Sequence, residues 1–161
     1  MLQNISSGWK LVIAILVCQG AGVLGSIFTN SSRDSWYQTL EKPAFNPPGW
    51  VFGPVWITLY LMMGIALFLV WKKTPFNKTE SRAVTWFFVQ LVLNVLWSFC
   101  FFYLRSPALA SIEILLLLFA IAATASYFWR ISRTAGVLLL PYIAWTSFAT
   151  LLTFTIWRLN S

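Results

Sequence analysis

The chain contains no histidine. A His-ligated haem, a His-bearing metal site and a Ser-His or Cys-His catalytic pair are therefore excluded within one chain. Cysteine is nearly absent as well. Cys18 and Cys100 form no CxxC or zinc-ligand spacing, and both fall in apolar runs, where a small core residue is the ordinary reading. Only four acids occur, and charged residues make up 9% of the sequence, well below the roughly 25% of a soluble domain. Asp34 and Glu41 lie in one long polar segment, Glu80 in a basic one, and Glu113 alone sits inside an apolar run. No Gly-rich phosphate loop or nucleophile elbow is present, so the usual acid–base and nucleophilic machinery is missing.

In place of these groups the chain has apolar residues, 59% of the total. They gather into five runs, at about 9–28, 50–71, 83–104, 108–129 and 135–157, each near the ~20 residues a helix needs to cross a bilayer. Unbroken stretches such as IEILLLLFAIAA lack the alternation of a membrane β-barrel. The expectation is an all-α membrane protein: residues 1–161 as a single domain of five transmembrane helices, with no soluble module. The first run has a basic flank at Lys10 but no small-x-small cleavage site, which favours a retained helix over a signal peptide. Cys18, Gly22 and Ser26 share one face of it, a stripe that allows close helix approach within or between chains.

Charge sets a direction. Lys10, Lys72, Lys73, Lys78, Arg82, Arg130 and Arg133 fall on one side of a five-span bundle, and Arg33, Lys42, Arg105 and Arg158 on the other. Seven against four places the N-terminus in the cytoplasm if the membrane is a bacterial inner membrane. The net charge of +7 then reflects topology and lipid contact. No basic cluster interleaved with aromatics marks a nucleic-acid surface.

The densest information lies in Trp36–Tyr60, WYQTLEKPAFNPPGWVFGPVWITLY, which carries three Trp, two Tyr, two Phe and four Pro. Pro43, Pro47, Pro48 and Pro54 each fix φ and remove a donor, so the approach to the second span is rigid and turning. A long, aromatic-bearing loop in a small bundle has the composition of a cap over a binding cavity. Among the ten tryptophans, Trp9, Trp50, Trp71, Trp86, Trp129 and Trp157 stand at span ends, where an interfacial belt accounts for them. Trp56, Trp97 and Trp145 lie deeper, with Asn94 and Ser98 beside Trp97 and Pro141-Tyr142 preceding Trp145. Aromatic walls with a few polar groups suit a small-molecule site. Glu113 is either a site for a proton or a ligand's charge, or a carboxyl bonded near the interface, with Arg105 as a candidate partner.

These motifs closely resemble the signature of the translocator protein family, also called tryptophan-rich sensory proteins or peripheral-type benzodiazepine receptors. The resemblance rests on Trp36-Tyr37, Leu40-Glu41-Lys42-Pro43, Pro47-Pro48-Gly49-Trp50 and Pro54-Val55-Trp56-Ile57-Thr58-Leu59-Tyr60. It continues through Leu93-Asn94, Trp97-Ser98, Pro141-Tyr142, Trp145, Phe148-Ala149-Thr150 and Trp157-Arg158-x-Asn160. It implies a five-helix protein, expected to be a homodimer, that binds porphyrins or haem-like tetrapyrroles, and benzodiazepine-site ligands, in a cavity closed by the first long loop. No obligatory cofactor is implied; the porphyrin is the ligand, and membrane lipid is the other partner. Residue by residue, the resemblance puts Tyr37, Pro47, Trp56, Asn94, Trp97, Ser98, Phe101, Trp145, Ala149 and Leu152 in the cavity lining. Asn94 or Ser98 would meet the ligand's polar edge. Light-dependent porphyrin breakdown, with Trp56 and Trp145 as photochemical candidates, is the first alternative, and a sterol or lipid carrier or structural membrane partner the second. Phe45 stands where the family usually has Trp, and Leu152–Arg158 lacks the Tyr of the proposed cholesterol motif, which weakens the sterol reading.

Overall fold

The computed structural model describes residues 4–73 and 75–161. Each apolar run forms a helix because no water is available in a bilayer core and the backbone must bond to itself. Helix α1 spans Ser7–Asn30. A single turn, α2, spans Trp36–Thr39 within the long loop, and α3 spans Gly49–Trp71. Helix α4 spans Lys78–Ser98 and continues as a π-helical turn over Phe99–Tyr103. Helix α5 spans Pro107–Ile131, and α6 (Arg133–Leu138) and α7 (Leu140–Leu159) together make the last crossing. Among the described residues, five helical segments are therefore long and apolar enough to cross a membrane, and the chain is a multi-pass membrane protein.

The ends of these helices follow local chemistry. Helix α4 begins five residues ahead of its apolar run, at Lys78 and not residue 83, because Glu80 Oε2 accepts from the Asn77 N–H at 2.9 Å and satisfies an otherwise orphaned donor. Ser106 Oγ accepts from the Leu109 N–H at 3.2 Å, and Pro107 follows in the first helical turn, where its missing donor has no consequence. Just before them, between the π-helical turn and α5, Arg105 takes a left-handed φ of 51°, which reverses the chain within three residues. Pro141 removes a donor from the last crossing, and α6 gives way to α7 at Leu139.

Helix α4 packs most extensively on α5, and α1 on α3. The α1–α3 contact depends on glycine. A Cβ on Gly64 would stand 2.8 Å from Ile15 Cα, and one on Gly22 2.8 Å from the Tyr60 ring. Gly25 faces Ser98 of α4. The small-residue face of α1 is thus spent on neighbours within the chain, through Ala14, Cys18, Gly22 and Gly25, whereas Ser26 is exposed and bonds its own helix at Val23 O.

On the side holding the N-terminus, cations sit over aromatics at the span ends. Lys10 Nζ lies 5.8 Å from the Trp71 ring centre, and the Arg133 guanidinium 5.7 Å from Trp129. The opposite side holds the 31–48 loop. Ser32 Oγ donates to Phe102 O at 2.7 Å, and the Asn160 amide clasps the backbone of Glu41 from both sides. The loop is thereby fastened across the ends of α4 and α7.

Candidate functional site

Two layers of side chains lie beneath the loop. The deeper layer is polar. Tyr60 donates to Asn94 Oδ1 at 2.8 Å, Asn94 Nδ2 donates to the Tyr142 hydroxyl at 2.5 Å, and that hydroxyl donates to Gln90 Oε1 at 2.8 Å. All four residues are buried, and they tie α3, α4 and α7 together. Gln90 and Asn94 are one turn apart on α4, so a single face supplies both amides. In hydrocarbon surroundings each partner answers another's hydrogen-bonding need, which fixes the register of three helices.

The layer nearer the loop is aromatic. Trp97 stacks on Phe101 with ring centres 5.3 Å apart, and Trp36 and Tyr37 of the loop meet Phe101 edge-on at 5.8 and 6.1 Å. Trp145 lies between Phe52 and Phe148 at 5.8 and 5.7 Å, and Phe45 reaches Phe148 at 6.2 Å. Trp56 joins the two layers, 5.6 Å from Tyr60 and 6.3 Å from Tyr142. Such offset and edge-on pairs are preferred by the ring quadrupoles and hold flat surfaces at low entropic cost. The π-helical turn presents Cys100, Phe101 and Phe102 together to the interior, which a regular helix would spread around its circumference.

The residues singled out in the sequence distribute unevenly over these layers. Tyr37, Trp97, Phe101 and Leu152 share one cluster, and Trp56, Trp145 and Ala149 pack against the neighbouring one. Pro47 is reached through Asn46, which accepts from the Tyr37 hydroxyl at 3.3 Å and donates to Pro47 O at 3.4 Å. Asn94 accepts from one tyrosine and donates to the other, which leaves its second N–H and one Oδ1 lone pair for a ligand's polar edge. Ser98 turns towards α1, its Oγ 3.6 Å from the place a Gly25 Cβ would occupy. Phe52, Tyr60, Gln90, Tyr142 and Phe148 join the site without having been in that set. Phe52, Trp56 and Tyr60 recur every fourth residue, a spacing that places them on one face of α3.

Lys42 Nζ lies 4.7 Å over the Tyr37 ring and donates to Leu40 O at 3.0 Å, so the loop is also organised within itself. Burial pushes the Tyr37 phenol above its usual range, and it stays a neutral donor at neutral pH. An open groove of about 560 Å³ lies on the outer face of α4, lined by residues such as Phe88 and Val92, and one of about 280 Å³ lies between Trp36, Arg105 and Trp157.

A family model for the TspO/MBR family matches residues 14–158. The chain is 43% identical over 152 residues to the tryptophan-rich protein TspO of Archaeoglobus fulgidus, covering 94% of this chain and 97% of that one. It is 44% identical over 154 residues to the protein of the same name from Chlorobaculum tepidum, covering 93% and 95%. Against the human translocator protein the identity is 40% over 138 residues, covering 85% of this chain and 82% of that one. A match of this extent, together with the five-crossing bundle and its aromatic loop, makes the chain a member of the TspO/MBR family.

Proposed function

We propose that the chain is a membrane receptor, sensor or transporter for flat, apolar ring ligands of the porphyrin class, such as protoporphyrin IX or haem-like tetrapyrroles, and for benzodiazepine-site-type compounds. The observation that carries this reading is the aromatic layer. Trp97, Phe101, Trp145, Phe148 and Phe52 offer broad ring faces directly beneath a loop held down by few bonds. The names of relatives agree with it: a translocator protein in Homo sapiens and a tryptophan-rich sensory protein in Cereibacter sphaeroides. With no histidine in the chain, a bound haem has no imidazole ligand from it. The excess of Lys and Arg supports a cytoplasmic N-terminus if the membrane is a bacterial inner membrane.

A second reading has its own support. Trp56, Tyr60 and Tyr142 form a run of oxidisable rings beside Trp145, suited to giving electrons to a light-excited porphyrin. The test of the first reading is saturable quenching of tryptophan fluorescence by protoporphyrin IX, with independent retention of the porphyrin. The intact protein shows both, and Trp56→Leu with Trp145→Leu loses both. Retention unchanged by the double substitution would remove the aromatic layer as the site. Trp145→Phe separates the readings: a binder keeps its affinity, and a photochemical catalyst loses its light-dependent product.

A further inference from the structure

Glu113 points into the bundle. It is 7% exposed and shares the inner face of α5 with Ala110, Leu117, Ala120 and Thr124, all buried. Helix α5 packs at once on α4, on the π-helical turn that continues it, and on α7. Neither of the Glu113 carboxyl oxygens has a hydrogen-bond partner among the described residues. Arg105 does not serve as one: it is exposed in the loop, and the single ion pair among the described residues is Arg33–Asp34. Lys10, the buried cation, belongs to the opposite end of the bundle, over Trp71.

Two more buried polar atoms lack partners, and both come from the helices that flank Glu113. Trp97 Nε1 lies one turn before Cys100, and Thr146 Oγ1 one turn after Tyr142. Buried polar atoms are nearly always paired, because leaving one unpaired forfeits its hydration with no return, and an unpaired carboxylate forfeits far more. Here the orphans comprise acceptors without a donor, an indole donor without an acceptor, and a hydroxyl able to act as either. Of these groups, the Trp97 indole belongs to the stacked pair with Phe101.

We infer that Glu113, with the Trp97 indole N–H and the Thr146 hydroxyl, forms a subsite for a hydrophobic amine: a flat or bulky apolar ligand carrying one protonated nitrogen. The ammonium donates to the Glu113 oxygens, an acceptor atom elsewhere on the ligand takes the indole N–H, and the ring faces cover the apolar part. The subsite rests on the aromatic interior being accessible to ligands, and it adds a chemical class that aromatic walls alone do not select.

The test uses the full chain in lipid nanodiscs, with empty nanodiscs as the partition control. The probes are 1-naphthylmethylammonium, its neutral isostere 1-methylnaphthalene, and protoporphyrin IX. The intact protein should retain the ammonium about ten- to a hundredfold more tightly than the isostere, the size of a charge-assisted hydrogen bond. Glu113→Gln and Glu113→Leu should abolish that preference and leave isostere retention unchanged. Glu113→Leu should melt at or above the temperature of the intact protein, since it removes an unpaired buried carboxyl, and Glu113→Gln, which keeps the shape, should melt close to it. Equal retention of the two naphthalenes, as when water alone satisfies Glu113, would overturn the inference, as would a preference that survives both substitutions. Porphyrin retention without amine preference refutes the subsite alone, and amine preference without porphyrin retention refutes the porphyrin reading alone.

Discussion

Asn160 is the latch of the loop, and its removal has a calculable effect. Its Oδ1 accepts from the Glu41 N–H at 2.9 Å, while Nδ2 donates to Glu41 O at 2.9 Å and to Ile156 O at 2.8 Å. The bond to Ile156 anchors the amide on α7, so the other two are made by a group already held in place. Asn160→Ala deletes both bonds to the loop. Each is worth about 0.5–1.5 kcal/mol net, and because Asn160 and Glu41 are exposed the lower half of that range applies, giving about 1–2 kcal/mol in total. That corresponds to roughly a 5–30-fold shift in the loop's opening equilibrium. Hydrogen exchange reads it directly, because the Glu41 amide has Asn160 as its acceptor. Protection across 36–48 should fall by that factor while the inner faces of α4 and α5 keep theirs. Unchanged exchange at Glu41 would refute the latch, and uniform loosening of the whole bundle would show that Asn160 acts on global stability instead.

Other substitutions probe the layers below. Gly64→Ala drives a methyl to within 2.8 Å of Ile15 Cα, a backbone atom that cannot swing aside, and should destabilise the bundle by about 1–3 kcal/mol, read as a lowered melting temperature in detergent. Asn94→Leu strands the Tyr60 hydroxyl and takes one donor from that of Tyr142, which keeps Gln90, and should cost about 2 kcal/mol; a variant as stable as the intact protein would show the polar chain to be dispensable. Raising the pH should loosen the loop through Tyr37. Its folded-state pKa is raised, so its contribution is fully present below the ordinary phenol value of about 10 and is lost as the pH climbs through the higher folded value. Loop exchange corrected for intrinsic rate should therefore rise in alkali, and Tyr37→Phe should remove that dependence.

The spans were readable because a run of about twenty apolar residues has few other uses. Their inner faces were not. In a water-soluble helix polar residues mark the outside, but lipid is as apolar as the core, so α3 and α5 carry little sequence contrast between the inner side, which faces Ile15 in α3 and bears Thr124 in α5, and the side facing hydrocarbon. Orientation therefore came from packing, which aimed Ser98 at α1, set Asn94 between two tyrosines and turned Glu113 inward. Pro43, Pro47 and Pro48 fall in the loop, whereas Pro54 is inside α3, where its missing donor leaves Trp50 O without its helical partner. The π-helical turn left no local mark, because FCFFY reads as any apolar helix end. The tryptophans at positions 56, 97 and 145 stood out for their depth within the spans, and all three enter the aromatic cores.

The most direct test of a porphyrin in that interior is its own photochemistry. An illuminated porphyrin sensitises oxidation of nearby indoles, and mass spectrometry can count oxidised tryptophans residue by residue. A ligand beneath the loop should oxidise Trp56, Trp97 and Trp145, which are half-buried, ahead of Trp9 and Trp129, which are 63% and 42% exposed. A water-soluble sensitiser should give the reverse order in the same protein. Oxidation by the porphyrin that simply follows exposure would place it outside the bundle and contradict the site.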